Sequence, residues 1–143
     1  MNLKDAAYKT SINFEIKTYD IDIAGHLNNT VYVKWLEDLR SKFFEEYFSL
    51  KELLARKYYP IVGSTSISYK RQLKLYDKPA GFIWLGDLKH NVMMLEFKFI
   101  NDEKICSVAE QKCILMNLKE DKMEKWREIL ASIDERFIDQ PFP

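Results

Sequence analysis

The stretch Tyr19-Asp20-Ile21-Asp22-Ile23-Ala24-Gly25-His26-Leu27-Asn28-Asn29-Thr30-Val31-Tyr32-Val33-Lys34-Trp35-Leu36-Glu37-Asp38-Leu39-Arg40 gathers two carboxylates, an imidazole and two amides immediately ahead of a helical pattern. A strand ahead of it delivers the acids to its end, Gly25 lets the backbone turn, and the Asn pair opens a helix. The first N–H groups of that helix have no partner within it, so they point at whatever lies beside the carboxylates. A carboxylate facing a helix N-terminus suits activation of a carbonyl.

Upstream, Ile12, Phe14 and Ile16 alternate with Asn13, Glu15 and Lys17, the period-2 signature of a strand with one buried face that ends at this stretch. Downstream, Tyr32, Trp35, Leu36, Leu39 and Phe43 recur at helical spacing, with Lys34, Asp38, Ser41 and Lys42 opposite, so one long helix extends to about Phe48. A shorter helix covers Leu50 to about Lys57 and yields at Pro60 to a strand-like run from Ile61. Strands follow at Thr65–Tyr69, Gly81 to about Lys89, Val92–Ile100 and Ile105–Leu118, the last two joined by a hairpin over Asn101–Lys104. Met123, Trp126, Ile129, Leu130, Ile133 and Phe137 mark a C-terminal amphipathic helix. One long helix, many strands and no βαβ alternation predict an α+β fold in which an antiparallel sheet wraps a central helix.

The chain has 143 residues, enough for one compact domain with its own core. Its 22 basic and 22 acidic residues balance, so no long-range field draws it to nucleic acid or to a cationic partner. The first twenty residues lack a signal-peptide pattern, and no apolar run approaches the roughly 20 residues that span a bilayer. Membrane partners are therefore not expected. Cys106 and Cys113, the two cysteines, sit in one strand about 23 Å apart and cannot pair within it, which fits a reducing cytoplasm.

The order of residues in the opening stretch resembles the signature of hotdog-fold acyl-CoA thioesterases of the 4-hydroxybenzoyl-CoA thioesterase kind. Asp20, Asp22, Gly25, His26, Leu27, Asn28, Asn29, Tyr32, Trp35, Glu37 and Arg40 all fall on it. Ile21 stands where that pattern has a small polar residue. Ser68–Asp77 is similar to the family's later strand and turn, with Gln72 in place of a common proline. The resemblance is specific over residues 12–48, diffuse to Leu118, and does not reach the C-terminal stretch. It implies a hotdog fold over residues 1–143 and hydrolysis of an acyl thioester to free acid and coenzyme A, with no cofactor. It further implies a homodimer, or a pair of dimers forming a homotetramer, with each site at a subunit interface.

By the same resemblance Asp22 is the catalytic carboxylate, acting as nucleophile or general base, and the N–H of Asn29 stabilises the oxyanion. The plainer reading of Asp22 is a turn residue accepting backbone N–H bonds. His26 either hydrogen-bonds the carboxylate or the substrate carbonyl, or fixes the loop. Asp20 holds the turn, and Asn28 caps the helix. Gly25, Asn28, Tyr32 and Trp35 are candidate substrate contacts, the two aromatics being equally readable as core. Lys89 and His90, at a strand turn that approaches the nucleotide in related proteins, and Lys70 and Arg71 are candidate partners for coenzyme A phosphates. Glu37 is the alternative acid, with pairing to Arg40 as its plainer role. Asp20, Asp22 and His26 make a poor metal set without a distant fourth ligand, so no metal is expected. Two other functions compete: hydration or dehydration of an enoyl thioester on the same fold, and non-catalytic binding of an acyl thioester.

Overall fold

The computed structural model of the chain describes residues 6–138. In chain order the elements are β1 (Lys9–Asn13), α1 (Asn29–Tyr47), α2 (Leu50–Ala55), β2 (Tyr58–Tyr69), β3 (Ala80–Lys89), β4 (Val92–Asn101), β5 (Lys104–Asn117), β6 (Lys122–Glu124) and α3 (Trp126–Ile133). The strands form one antiparallel sheet in the order β1-β3-β4-β5-β2, and β6 adds to the end of β5. α1 packs on its inner face, so the molecule has the hotdog fold.

The sheet has a buried inner side because the sequence alternates. Met93, Leu95, Phe97 and Phe99 of β4 are fully buried, while Met94, Glu96 and Lys98 between them stay half-exposed. α1 answers with Val31, Tyr32, Trp35, Leu36, Leu39, Phe43 and Phe44, all buried along one stripe, and turns Lys34, Glu37, Asp38 and Ser41 to solvent. Phe14 stacks on Trp35 with ring centroids 4.6 Å apart, and Phe99 meets both. Helix and sheet touch closely at Gly81, where a Cβ would lie 2.6 Å from the Phe14 ring and 3.0 Å from Leu39. Any larger residue there would force the Phe14, Phe99 and Leu39 side chains to shift.

The C-terminal half of α1 is sealed by aromatic packing. Phe44 stacks on Trp126 of α3 at 5.8 Å, Phe43 packs on Phe48, and Phe48 packs on Phe137. Trp126 is fully buried and donates its indole N–H to the carbonyl of Cys113 at 3.2 Å, so its polar atom is satisfied inside the core.

Three boundaries differ from the sequence reading. The first strand stops at Asn13; Phe14 then donates its N–H to Pro79 O at 2.9 Å, and the chain leaves the ladder while Phe14 and Ile16 still point inward. The segments expected from Ile61 and from Thr65 are one strand, β2, interrupted by a register shift between Val62 and Ser64. The C-terminal helix spans only Trp126–Ile133, because Lys122–Glu124 pair with Leu115–Asn117 and place Met123 in a strand, and Phe137 lies beyond it in a separate 3-10 turn over Glu135–Phe137.

Candidate active site

Residues 20–28 form a narrow hairpin-like loop. Asn28 donates its N–H to Asp20 O (2.8 Å), Ile21 and Leu27 make an antiparallel bridge, and Asp22 donates its N–H to His26 O (2.8 Å). The tip turns through Gly25, whose N–H bonds Asp22 O at 3.0 Å and whose φ of 82° is a conformation that costs other residues roughly 1–2 kcal/mol. Leu27 ties the loop to the segment after β2 by donating its N–H to Leu73 O at 2.7 Å.

The two acids of the loop do different things. Asp20 is buried, and its Oδ2 accepts the Lys17 N–H at 2.9 Å, closing the short turn at Thr18–Asp20. Asp22 is exposed. Its Oδ1 accepts N–H bonds from Ala24 (2.9 Å) and His26 (3.2 Å), and its Oδ2 has no partner among the described residues. The carboxylate is thus anchored through one oxygen and open through the other. The half-buried imidazole of His26 makes no hydrogen bond among the described residues; its contacts to Asp22 run through its backbone.

The start of α1 lies at the base of this loop. Asn28 is the cap, its side-chain oxygen accepting from Thr30 N (3.0 Å) and Thr30 Oγ1 (2.9 Å). No acceptor among the described residues takes the Asn29 N–H, which leaves a free donor at the positive end of a 19-residue helix. Asn29, Leu27 and Tyr32 line an open cleft of about 770 Å³ that continues to Arg71, Lys104 and Cys106. The cleft gives a carbonyl oxygen access to the Asn29 backbone donor, while Asp22, Gly25, His26 and Asn28 stand on the adjoining loop outside its lining.

Tyr32 forms the apolar floor of the cleft. Its ring packs on Tyr69 and Phe99, and burial pushes its hydroxyl up to about 12, an effect that Ser107 eases; both buried hydroxyls lack a hydrogen-bond partner among the described residues. Trp35 does not reach the cleft and belongs to the core, against Phe14. Glu37 is exposed and stands 3.8 Å from Arg40 Nη2, while Arg40 Nη1 donates to the buried Gln111 Oε1 at 2.9 Å and Gln111 Nε2 donates to Thr65 Oγ1 at 3.2 Å. Arg40 thereby clamps α1 to the sheet.

Lys89 and His90 occupy the β3–β4 turn, at the far end of a ten-residue strand that spans about 30 Å from Ala80. Lys89 is 3.5 Å from Asp87. One chain does not bring these two residues to the cleft, whereas it does bring Lys70 and Arg71 there, together with Lys74 and Lys104, which the sequence reading did not single out. Nothing local marks Lys104: it lies in a hairpin turn and becomes a neighbour of Lys70 only through the pairing of β2 with β5. Burial raises the Cys106 thiol and pushes Cys113 up to about 11, so both are protonated and weakly nucleophilic at neutral pH. Among the described residues no group of three His, Cys, Asp or Glu side chains is placed to hold a metal ion. No helix among them is long and apolar enough to cross a membrane.

Solved structures share this fold. A DHNA-CoA thioesterase from Staphylococcus aureus superposes with a TM-score of 0.79 at 14% identity, over 90% of this chain and 88% of that one. A gentisyl-coenzyme A thioesterase gives 0.73 at 23% identity, over 81% and 94%. A second S. aureus protein, solved in complex with CoA, gives 0.75 at 17% identity, over 95% and 87%. No curated protein matches the chain by sequence. The family model of the thioesterase-like superfamily matches residues 16–136, which takes in the C-terminal helix that the motif resemblance did not reach, and the chain belongs to that superfamily.

Proposed function

We propose that the protein hydrolyses an acyl-CoA thioester to the free acid and coenzyme A. The observation that carries this reading is the loop itself: it holds a carboxylate anchored through Oδ1 with Oδ2 open, and its base starts a helix whose first N–H has no acceptor among the described residues. Membership of the thioesterase-like superfamily and fold neighbours that act on or bind CoA compounds support the substrate class.

The thioester carbonyl oxygen accepts the Asn29 N–H, a donor worth on the order of 3 kcal/mol to the developing oxyanion. Asp22 Oδ2 either takes a proton from water as it attacks the carbonyl carbon, or attacks directly to form an anhydride that water then opens. In both routes the C–S bond breaks, the sulfur leaves as thiolate, and a proton from water ends on the thiol. Asn28 and Gly25 hold the loop and the helix start in register, Tyr32 presents the apolar floor to the acyl group, and His26 stands beside the carboxylate. No metal or cofactor enters the scheme.

A homodimer or homotetramer accompanies this reading. β2 is a 12-residue edge strand whose Ser64, Thr65, Ser66 and Ser68 are exposed, and Tyr19, Ile23 and Tyr76 stand more than four-fifths exposed around the loop. A second chain added there would complete both the sheet edge and the wall of the cleft. The test is thiol release from a panel of acyl-CoAs of graded length, aromatic members included, with light scattering on the same sample. Thiol release by a dimer or tetramer is expected; a change in enoyl-CoA absorbance without thiol release, or activity from a monomer, would overturn the reading.

A further inference from the structure

The cleft that opens at Asn29 is cationic at its far wall. Lys70, Arg71, Lys74 and Lys104 line it against one carboxylate, Asp102. None of the four makes an ion pair among the described residues, although Lys17, Lys42, Arg56, Lys89, Lys122 and Arg136 do. Four unpaired cations around one opening repel one another, an arrangement that gains from an anionic ligand.

Their backbones are held in place. Lys70 and Arg71 both donate their N–H groups to the carbonyl of Cys106, at 2.8 and 3.0 Å, which folds the end of β2 over the start of β5. Lys104 follows the tight turn at Asp102 and Glu103, whose φ values of 52° and 61° mark a two-residue hairpin connection. Lys74 is set by its N–H bond to Asp77 Oδ2 at 2.8 Å. That carboxylate keeps its charge, so with Asp102 it offsets part of the four cations and leaves the wall net positive.

We propose that Lys70, Arg71, Lys74 and Lys104 form the phosphate-binding wall of the site and receive the phosphorylated arm of the thioester's thiol carrier. The inference rests on the thioesterase reading for its substrate and goes beyond it by assigning the carrier's anionic groups to the Asn29 end of the sheet, away from Lys89 and His90. Arg71 supplies a planar fork suited to two phosphate oxygens, and the lysines supply mobile point charges around it.

Kinetics on matched thioesters test it. The Lys70→Glu/Arg71→Glu double variant should raise KM for acyl-CoA at least about 10-fold while kcat stays within about twofold. The same variant should leave hydrolysis of the phosphate-free N-acetylcysteamine thioester unchanged, and Lys51→Glu on α2 should match wild type on both. The 4′-phosphopantetheine thioester distinguishes the carriers: if it shares the KM penalty, the wall reads the phosphate common to coenzyme A and carrier proteins, and if coenzyme A alone does, it reads the nucleotide phosphates. Equal losses with and without phosphate, no loss with acyl-CoA, or a KM penalty found instead in Lys89→Glu would overturn the assignment. If wild type hydrolyses neither thioester, the proposed function fails, yet calorimetric titration with 3′,5′-ADP still decides the site: binding by wild type that the double variant loses supports it, and no binding overturns it.

Discussion

The two ends of α1 are built to opposite specifications. At its C-terminal end Phe43, Phe44, Phe48, Trp126 and Phe137 interlock, α3 closes the gap, and Arg127 Nη2 reaches the carbonyl of Leu88 at 3.5 Å. At its N-terminal end the helix starts with a free N–H, the adjoining loop turns through a left-handed Gly25, and large apolar side chains such as Ile23 stand in solvent. The contrast separates stability from chemistry. Burial at one end holds helix and sheet in a fixed relation, so that the other end can present unsatisfied polar groups at a defined place, the arrangement that the proposed chemistry uses.

Breaking the sealed end should cost the most. Trp126→Ala removes a fully buried indole and leaves the Cys113 carbonyl without its donor, so unfolding free energy should fall by about 3–5 kcal/mol, read by chemical denaturation. A loss below about 1 kcal/mol would mean that α3 is an appendage rather than a lid on the core.

The loop at the open end should divide between its two acids. Asp20→Asn weakens a buried carboxylate's bond to the Lys17 N–H and should lower stability by about 1.5–3 kcal/mol, while lowering the rate far less than a change at Asp22. A variant with unchanged melting and a large rate loss would exchange the roles assigned to the two acids.

An effect confined to alkaline pH spans both ends. Burial raises Cys113 from an ordinary 9.0 to about 11 and Tyr32 from 10.0 to about 12. The unfolded chain loses these protons at the ordinary values while the native state keeps them. Stability from these groups is therefore full below about pH 9 and declines as pH rises through 9–12. Denaturation midpoints measured across that range should fall monotonically, and Cys113→Ala should blunt the first part of the fall.

Most of the elements were legible because their packing surfaces are periodic. The Tyr32–Phe43 stripe and the Met93–Phe99 alternation each meet a single partner face, so spacing alone fixes which side is buried. The failures lie where periodicity is shared or interrupted. Met123 stands three residues before Trp126 and reads as the same helical stripe, yet its segment is captured by the free edge of β5. Phe14 and Ile16 keep strand spacing after the chain has left the ladder. The shape of the loop was legible from Asp20, Asp22, Gly25 and the Asn pair because all of its hydrogen bonding is local. The cationic wall was legible only in part: Lys70 and Arg71 adjoin in sequence, but Lys104 reaches them through strand pairing, and the distance of Lys89 and His90 follows from the length of β3.

The central claim is that the open oxygen of Asp22 does the chemistry, and the maximal rate of acyl-CoA hydrolysis by Asp22→Asn, measured beside Glu37→Gln, tests it most directly. Asn keeps the shape and the amide oxygen that can accept from Ala24 and His26 while removing the charge, so fold and oligomer should persist and kcat should fall at least about 10²-fold with KM little changed. Glu37→Gln, exposed on α1 and only 3.8 Å from Arg40, should stay near wild type. An Asp22→Asn enzyme that turns over at close to the wild-type rate, with Glu37→Gln inactive, would contradict the account and move the carboxylate chemistry from the loop to the helix.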